Sequence, residues 1–132
     1  MTDRELLKLA EDIRENAYVP YSNFRVGAAL LTEGGEVFTG CNIECASYGG
    51  CNCGERTALF KAVSEGHRDI KKIAIASSNS EKNEPTYPCG ICRQVIIEFG
   101  ADIEIVLGYS EGDIIVHKIK DLIPNYFSGA DL

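Results

Sequence analysis

No apolar stretch in this 132-residue chain approaches the roughly 18 consecutive residues that a membrane-spanning helix requires. The chain does not open like a secretory leader either: Met1-Thr2-Asp3-Arg4-Glu5 is charged and runs into an amphipathic pattern. Positive charge is scarce. The 13 Lys and Arg residues stand against 20 Asp and Glu, a net charge of −7, and no basic cluster exists beyond Lys71-Lys72. Phosphate contacts supply most non-specific nucleic-acid affinity and need a basic face, so this balance argues against DNA or RNA and for a small neutral ligand. Repeats, low-complexity tracts and interdomain linkers are also missing. With 45% hydrophobic residues, positions 1–132 read as one domain around a single core. Six cysteines without a secretion signal read as intracellular thiols or metal ligands rather than disulfides, and the expected location is cytoplasmic.

What is present has clear periodicity. Leu6, Leu7, Ala10, Ile13 and Ala17 recur at three-to-four-residue spacing, predicting an N-terminal helix. Thr2 can cap it with Glu5 at the capping-box position, and Pro20 closes the segment that follows. Val26 to Thr32 and Glu36 to Cys41 flank Gly34-Gly35, the pattern of a hairpin. Residues 53–65 have helical period through Ala58, Leu59, Ala62 and Val63. Ile73 to Ala76 reads as a short buried strand, followed by a polar loop from Ser77 to Tyr87 and a helix from about Cys89 to Phe99. Ile103 to Leu107 and Ile114 to Val116 supply two more strands, with a short helix near residues 118–122. The order αββαβαβ(β) predicts an α/β fold with a mixed sheet covered by helices.

Two motifs carry chemistry: Cys53-Gly54-Glu55 and Pro88-Cys89-Gly90-Ile91-Cys92. Three thiolate ligands leave a tetrahedral zinc one open position for water, whose pKa falls towards about 7. A carboxylate two residues from a ligand can then shuttle protons, and this spacing is that of zinc-dependent nucleobase deaminases. Cys53 and Cys89 fall at predicted helix starts, where the positive end of the helix dipole favours thiolate. Glu55 lies about 200° round the helix from Cys53, placing it over the open position rather than among the ligands. Arg56 can hydrogen-bond a cysteine sulfur and drain charge from it.

Other readings use the same residues. Cys51, Cys53, Cys89 and Cys92 can form a closed structural zinc site, leaving Glu55 a solvated helix residue. Cys89-Gly-Ile-Cys92 can be a redox dithiol, which leaves Cys53-x-Glu55 without a purpose. Cys41, Cys45 and Cys51 read as small core residues. His67 and His117 stand away from ligand spacing and read as structural or solvated.

The chain resembles the small homotetrameric zinc-dependent cytidine deaminases over nearly its whole length. The resemblance rests on Pro20-Tyr21-Ser22-Asn23-Phe24-Arg25-Val26-Gly27-Ala28-Ala29-Leu30, on Gly40-Cys41-Asn42-Ile43-Glu44, on Cys53-Gly54-Glu55-Arg56-Thr57-Ala58 and on Pro88-Cys89-Gly90-Ile91-Cys92-Arg93-Gln94. The first two segments are not needed for zinc and so are independent support. It implies a three-layer αβα sandwich with a mixed sheet of about five strands, and hydrolysis of cytidine and deoxycytidine with release of ammonia. It further implies one zinc per chain on Cys53, Cys89 and Cys92, with Glu55 as proton shuttle. Asn42 and Glu44 resemble the pair that holds the ribose 3′-hydroxyl. Phe24 is similar to the aromatic lining the base pocket, Phe127 to a C-terminal aromatic reaching a neighbouring subunit's site, and Tyr48 to an interface residue. The Gly54 backbone is expected to contact the base. Gly54 stands where alanine is usual and Cys45 where asparagine is usual, implying a freer backbone and a less firmly fixed sugar loop. Competing functions are a deaminase of another aminopyrimidine nucleoside of the blasticidin S type, a nucleic-acid editing deaminase, and a non-enzymatic zinc-stabilised interaction domain.

Overall fold

The computed structural model describes residues Met1–Leu132. Helix α1 (Asp3–Ile13) starts where the capping box predicts: the Glu5 amide donates to Thr2 Oγ1 at 3.1 Å and the Thr2 amide donates to Glu5 Oε1 at 3.0 Å. A 3-10 turn over Arg14–Asn16 ends the segment before Pro20. Strands β1 (Val26–Thr32) and β2 (Val37–Cys41) form the expected hairpin, whose turn needs the positive φ of 95° at Gly35. Helix α2 (Gly54–Ser64), strand β3 (Ile70–Ser77), helix α3 (Gly90–Ile97), strands β4 (Glu104–Gly108) and β5 (Ile114–Lys118) and the short α4 (Ile119–Leu122) complete the chain.

The five strands lie in the order β2-β1-β3-β4-β5. β1 is antiparallel to both β2 and β3, β3 and β4 are parallel with α3 in their connection, and β4 and β5 are antiparallel. The sheet is therefore mixed, as expected. Its alternation assigns the layers. On one face Ala28, Leu30, Ile73, Ile75, Ile105 and Leu107 pack against Ala58, Leu59 and Ala62 of α2 and Cys92, Ile96 and Ile97 of α3. On the other, Ala29, Leu31, Ala74, Ala76 and Val106 pack against Leu6, Leu7 and Ala10 of α1. Adjacent residues of β1 are buried on opposite faces, which is why this strand reads as a continuous apolar run.

Close approach positions the site. A β-carbon at Gly40 would lie 2.4 Å from the Ala58 amide nitrogen and 2.9 Å from the Gly54 carbonyl oxygen, so glycine there lets β2 lie directly against the start of α2. That contact holds the N-terminal end of α2 beside the end of the β1–β2 hairpin. No helix is long and apolar enough to cross a membrane.

Candidate active site

Cys53 is the residue before α2 and Cys89 the residue before α3, both in extended conformation at a helix N-terminus. Cys89 Sγ accepts from the Cys92 amide at 3.5 Å, and Cys92 follows one turn into α3. The sulfurs of Cys53, Cys89 and Cys92 lie within 4.8 Å of one another, with Cys53 and Cys89 3.8 Å apart. Two sulfurs each about 2.3 Å from one zinc at a tetrahedral angle stand about 3.8 Å apart, so the thiols fit one zinc ion per chain. Cys51 is outside this group. Its sulfur rests against the Cys45 backbone, 3.4 Å from the amide nitrogen and 3.6 Å from the carbonyl oxygen. The closed four-thiolate arrangement is not formed.

Arg56 donates from Nη2 to Cys53 Sγ at 3.2 Å, the contact its position predicts. The Cys92 thiol hydrogen bond, followed by Arg56, holds the Cys53 thiol down to about 5, whereas donating to Cys53 and being buried push Cys92 far up. A divalent cation held between the three sulfurs would favour the thiolate form of each.

Glu55 is only 4% exposed, and its Oε1 has no hydrogen-bond partner. This overturns the alternative in which it is a solvated helix residue. Burial pushes its carboxyl up to about 7. An unpartnered buried carboxylate oxygen is costly, so an oxygen left in this state is free for a ligand. It lines a cavity of about 260 Å³ with Phe24, Asn42, Cys53, Tyr87 and Cys89. The volume is just below the about 300–1,000 Å³ typical of sites for drug-sized ligands, a size suited to one small ring. Thr86 and Tyr87 line the same cavity although the sequence marks them only as the end of a polar loop. Their signal was their place immediately before Pro88-Cys89.

Asn42 and Cys53 also line a second cleft of about 390 Å³, which reaches Glu44, Tyr48 and Arg56. Asn42 Oδ1 accepts from the Val26 amide at 2.9 Å, and its Nδ2 donates to the Phe24 carbonyl at 2.8 Å. Glu44 Oε1 accepts from the Tyr21 and Ser22 amides, each at 3.1 Å, and the Ser22 hydroxyl donates to Oε2. These bonds, the Ser22 hydroxyl first, hold the Glu44 carboxyl below its ordinary range. Both side chains therefore brace the loop leading to Phe24 as well as lining the cleft, a role not evident from sequence.

Gly54 is buried at the first turn of α2 and has no left-handed φ. A β-carbon there would lie 3.2 Å from the Val26 carbonyl oxygen, so glycine gives close packing on β1 rather than the freer backbone expected of it. Cys41 and Cys51 are half-buried and Cys45 is exposed, so none is the core residue the sequence suggested. His67 lies beside Phe38, and His117 Nε2 is 3.2 Å from the Tyr87 hydroxyl; neither reaches the thiol cluster. Phe127 is 58% exposed, with its carbonyl held by Gln94 Nε2 at 2.7 Å.

Comparison with known proteins agrees with this geometry. Residues 1–108 match the family model described as the cytidine and deoxycytidylate deaminase zinc-binding region. The chain is 51% identical to a cytidine deaminase of Halalkalibacterium halodurans over 98% of both chains. It is 46% identical to one of Sporosarcina psychrophila, covering 100% of this chain and 96% of the relative. The crystal structure of a cytidine deaminase from Burkholderia pseudomallei superposes with a TM-score of 0.89 at 50% identity, covering 96% of this chain and all of the other. The chain belongs to the cytidine and deoxycytidylate deaminase zinc-binding family.

Proposed function

We propose that this chain hydrolyses cytidine and deoxycytidine to uridine and deoxyuridine with release of ammonia, as a single-domain cytoplasmic homotetramer of pyrimidine salvage. The carrying observation is one small cavity that joins the unpartnered Glu55 carboxylate, Cys53 and Cys89 of the zinc-fitting thiols, and Phe24. The extensive identity to proteins named cytidine deaminase supports the same reading.

Cys53, Cys89 and Cys92 would hold the zinc, which supplies Lewis acidity and a water of lowered pKa. Phe24 walls the pocket for a planar base, and the Gly54 backbone, between the cavity-lining Cys53 and Glu55, is placed to meet the base edge. Glu55 takes a proton from the attacking water and delivers it to the ring nitrogen, then takes the second proton from the new C4 hydroxyl and gives it to the departing amine, so C4 exchanges an amino group for oxygen and ammonia leaves. A buried carboxyl lifted to about 7 is suited to both taking and giving a proton near neutrality. Arg56 neutralises part of the Cys53 charge. Incubating the protein with cytidine, and following loss of cytosine absorbance with and without a zinc chelator, tests the proposal. Turnover that the chelator abolishes and zinc restores is expected, and a zinc-loaded protein inert towards cytidine and deoxycytidine would refute it.

Asn42 and Glu44 retain capacity for a sugar hydroxyl beyond their loop contacts, because an amide nitrogen has a second hydrogen and carboxylate oxygens have further lone pairs. Asn42→Ala and Glu44→Ala are each expected to cost about 1–3 kcal/mol in kcat/KM for cytidine while zinc content stays intact. Wild type should process 3′-deoxycytidine poorly, whereas the variants discriminate little between it and cytidine. Equal wild-type efficiency on both nucleosides would remove this pair from the sugar site.

Phe127 supports the tetramer. Its backbone is pinned to α3 while its ring stands in solvent, an arrangement suited to completing a neighbouring subunit's pocket. Tyr48, 70% exposed and edge-on to Tyr21 at 5.7 Å between ring centroids, adds another aromatic with little cover in the single chain. Light scattering should report four chains, and Phe127→Ala should raise KM more than it lowers zinc content. A fully active monomer would overturn this assembly and leave the zinc chemistry standing.

A further inference from the structure

Cys45 and Cys51, which the catalytic reading leaves without a role, are brought near each other by a small hairpin. Ile43 and Asn52 pair antiparallel, the Ile43 amide donating to the Asn52 carbonyl at 3.0 Å and the Asn52 amide donating back at 2.9 Å. The chain between them reverses through a 3-10 turn at Tyr48–Gly50. Cys51 Sγ lies 3.4 Å from the Cys45 amide nitrogen, and a β-carbon built on Gly50 would lie 3.0 Å from Cys45 Sγ. Each sulfur thus rests on the segment that carries the other. Paired cysteines need Cα atoms about 4.4–6.8 Å apart. In the register of the Ile43–Asn52 bridge Cys45 stands opposite Gly50, the residue next to Cys51, so closure needs only a local adjustment of the turn. Cys45 is exposed, so a small reagent can reach it. Its thiol now donates to the Ser47 carbonyl at 2.8 Å, a contact that closure breaks.

We propose that Cys45 and Cys51 are a redox modification site, closing to a reversible intrachain disulfide by exchange with a low-molecular-weight disulfide of the glutathione class. The Cys45 thiol gives its proton to solvent, and its sulfur attacks glutathione disulfide, forming a mixed disulfide and expelling one glutathione thiolate. That thiolate takes the Cys51 proton. The Cys51 sulfur attacks Cys45 sulfur, the protein S–S bond forms as the mixed S–S bond breaks, and the second glutathione thiolate leaves and is protonated from solvent. The protein loses two electrons and two protons, and glutathione disulfide is reduced to two thiols. A short, exposed disulfide belongs to the reducible, regulatory kind.

Closure acts on the segment that carries Glu44 and Tyr48. In the reduced chain the turn itself is held by the Gly50 amide on the Ser47 carbonyl at 2.8 Å and the Cys51 amide on the Tyr48 carbonyl at 3.1 Å, and its two arms above the Ile43–Asn52 bridge touch through weak sulfur contacts. A covalent staple pre-orders it, and pre-ordering a binding loop tightens binding by removing an ordering cost. The kinetic consequence rests on the nucleoside reading proposed above; the bond itself does not. The thiols of the zinc cluster lie outside the stapled ring and are shielded when the metal is bound.

The test equilibrates zinc-loaded protein in glutathione–glutathione disulfide buffers, followed by non-reducing peptide mapping, metal analysis and kinetics. The expected result is a Cys45–Cys51 cross-link within one chain, reversed by dithiothreitol, with zinc retained and KM for cytidine about threefold lower at unchanged kcat. Cys45→Ser should show neither the cross-link nor a redox response in KM. Free Cys45, a glutathione adduct that never closes, a cross-link to another cysteine or between chains, or a KM indifferent to the cross-link would each overturn the proposal. Absence of turnover in the reduced zinc-loaded protein would instead refute the nucleoside reading, since the mapped disulfide does not depend on activity.

Discussion

Replacing Glu55 with glutamine is expected to lower kcat by about 10²–10⁴-fold while zinc content and fold remain intact. The substitution keeps shape and volume in a pocket where the side chain is almost wholly buried. It removes the capacity to carry a proton between water, ring nitrogen and leaving amine. No destabilisation is expected, because the ionised carboxylate pays a desolvation cost in this environment that a neutral amide does not. Steady-state kinetics, metal analysis and a thermal melt on one preparation separate these effects. Near-normal turnover with a full complement of zinc would remove Glu55 from the chemistry.

The elements that sequence alone locates well are those with local signals. Thr2 and Glu5 mark the start of α1, Gly34-Gly35 marks the β1–β2 turn, and the apolar spacing through Ala58, Leu59 and Ala62 marks α2. Strand β3 extends further than its apolar run suggests, beginning at Ile70 and passing through Lys71 and Lys72. Lys72 is accommodated because Asp3 lies 2.6 Å and Glu104 3.4 Å from its Nζ, partners supplied by α1 and β4. Strand order and the parallel β3–β4 pairing arise from contacts distant in sequence, so no local pattern encodes them.

The candidate site divides the same way. The thiol cluster, Glu55 and the Arg56–Cys53 contact follow from spacing at helix starts, where backbone geometry is stereotyped. Loop residues do not follow from spacing. Cys41, Cys45 and Cys51 are apolar enough to pass for core, yet Cys45 and Cys51 flank a glycine-containing turn that leaves Cys45 exposed and Cys51 half-buried. Asn42 and Glu44 brace the segment before β1 through backbone partners distant in sequence, which the Tyr18–Ile43 bridge holds alongside them.

Alanine at Cys53, Cys89 or Cys92 is expected to take bound zinc from one per chain to near none after dialysis, and cytidine turnover to background with it. Each replacement leaves two thiolates where catalytic zinc sites use three protein ligands, and removes the water of lowered pKa that hydrolysis at neutral pH requires. Cys89 gives the cleanest comparison, because it is exposed and contributes little to the core. Cys92 is fully buried among the α2–α3 side of the core, so its replacement also lowers the melting temperature through lost packing. Cys51→Ala should retain one zinc, since the Cys51 sulfur rests on the Cys45 backbone and stands outside the cluster. Metal analysis of the four variants therefore distinguishes an open site of three thiolates from a closed site of four. Zinc loss from Cys51→Ala equal to that of the other three would make the site structural and leave Glu55 with no water to act on.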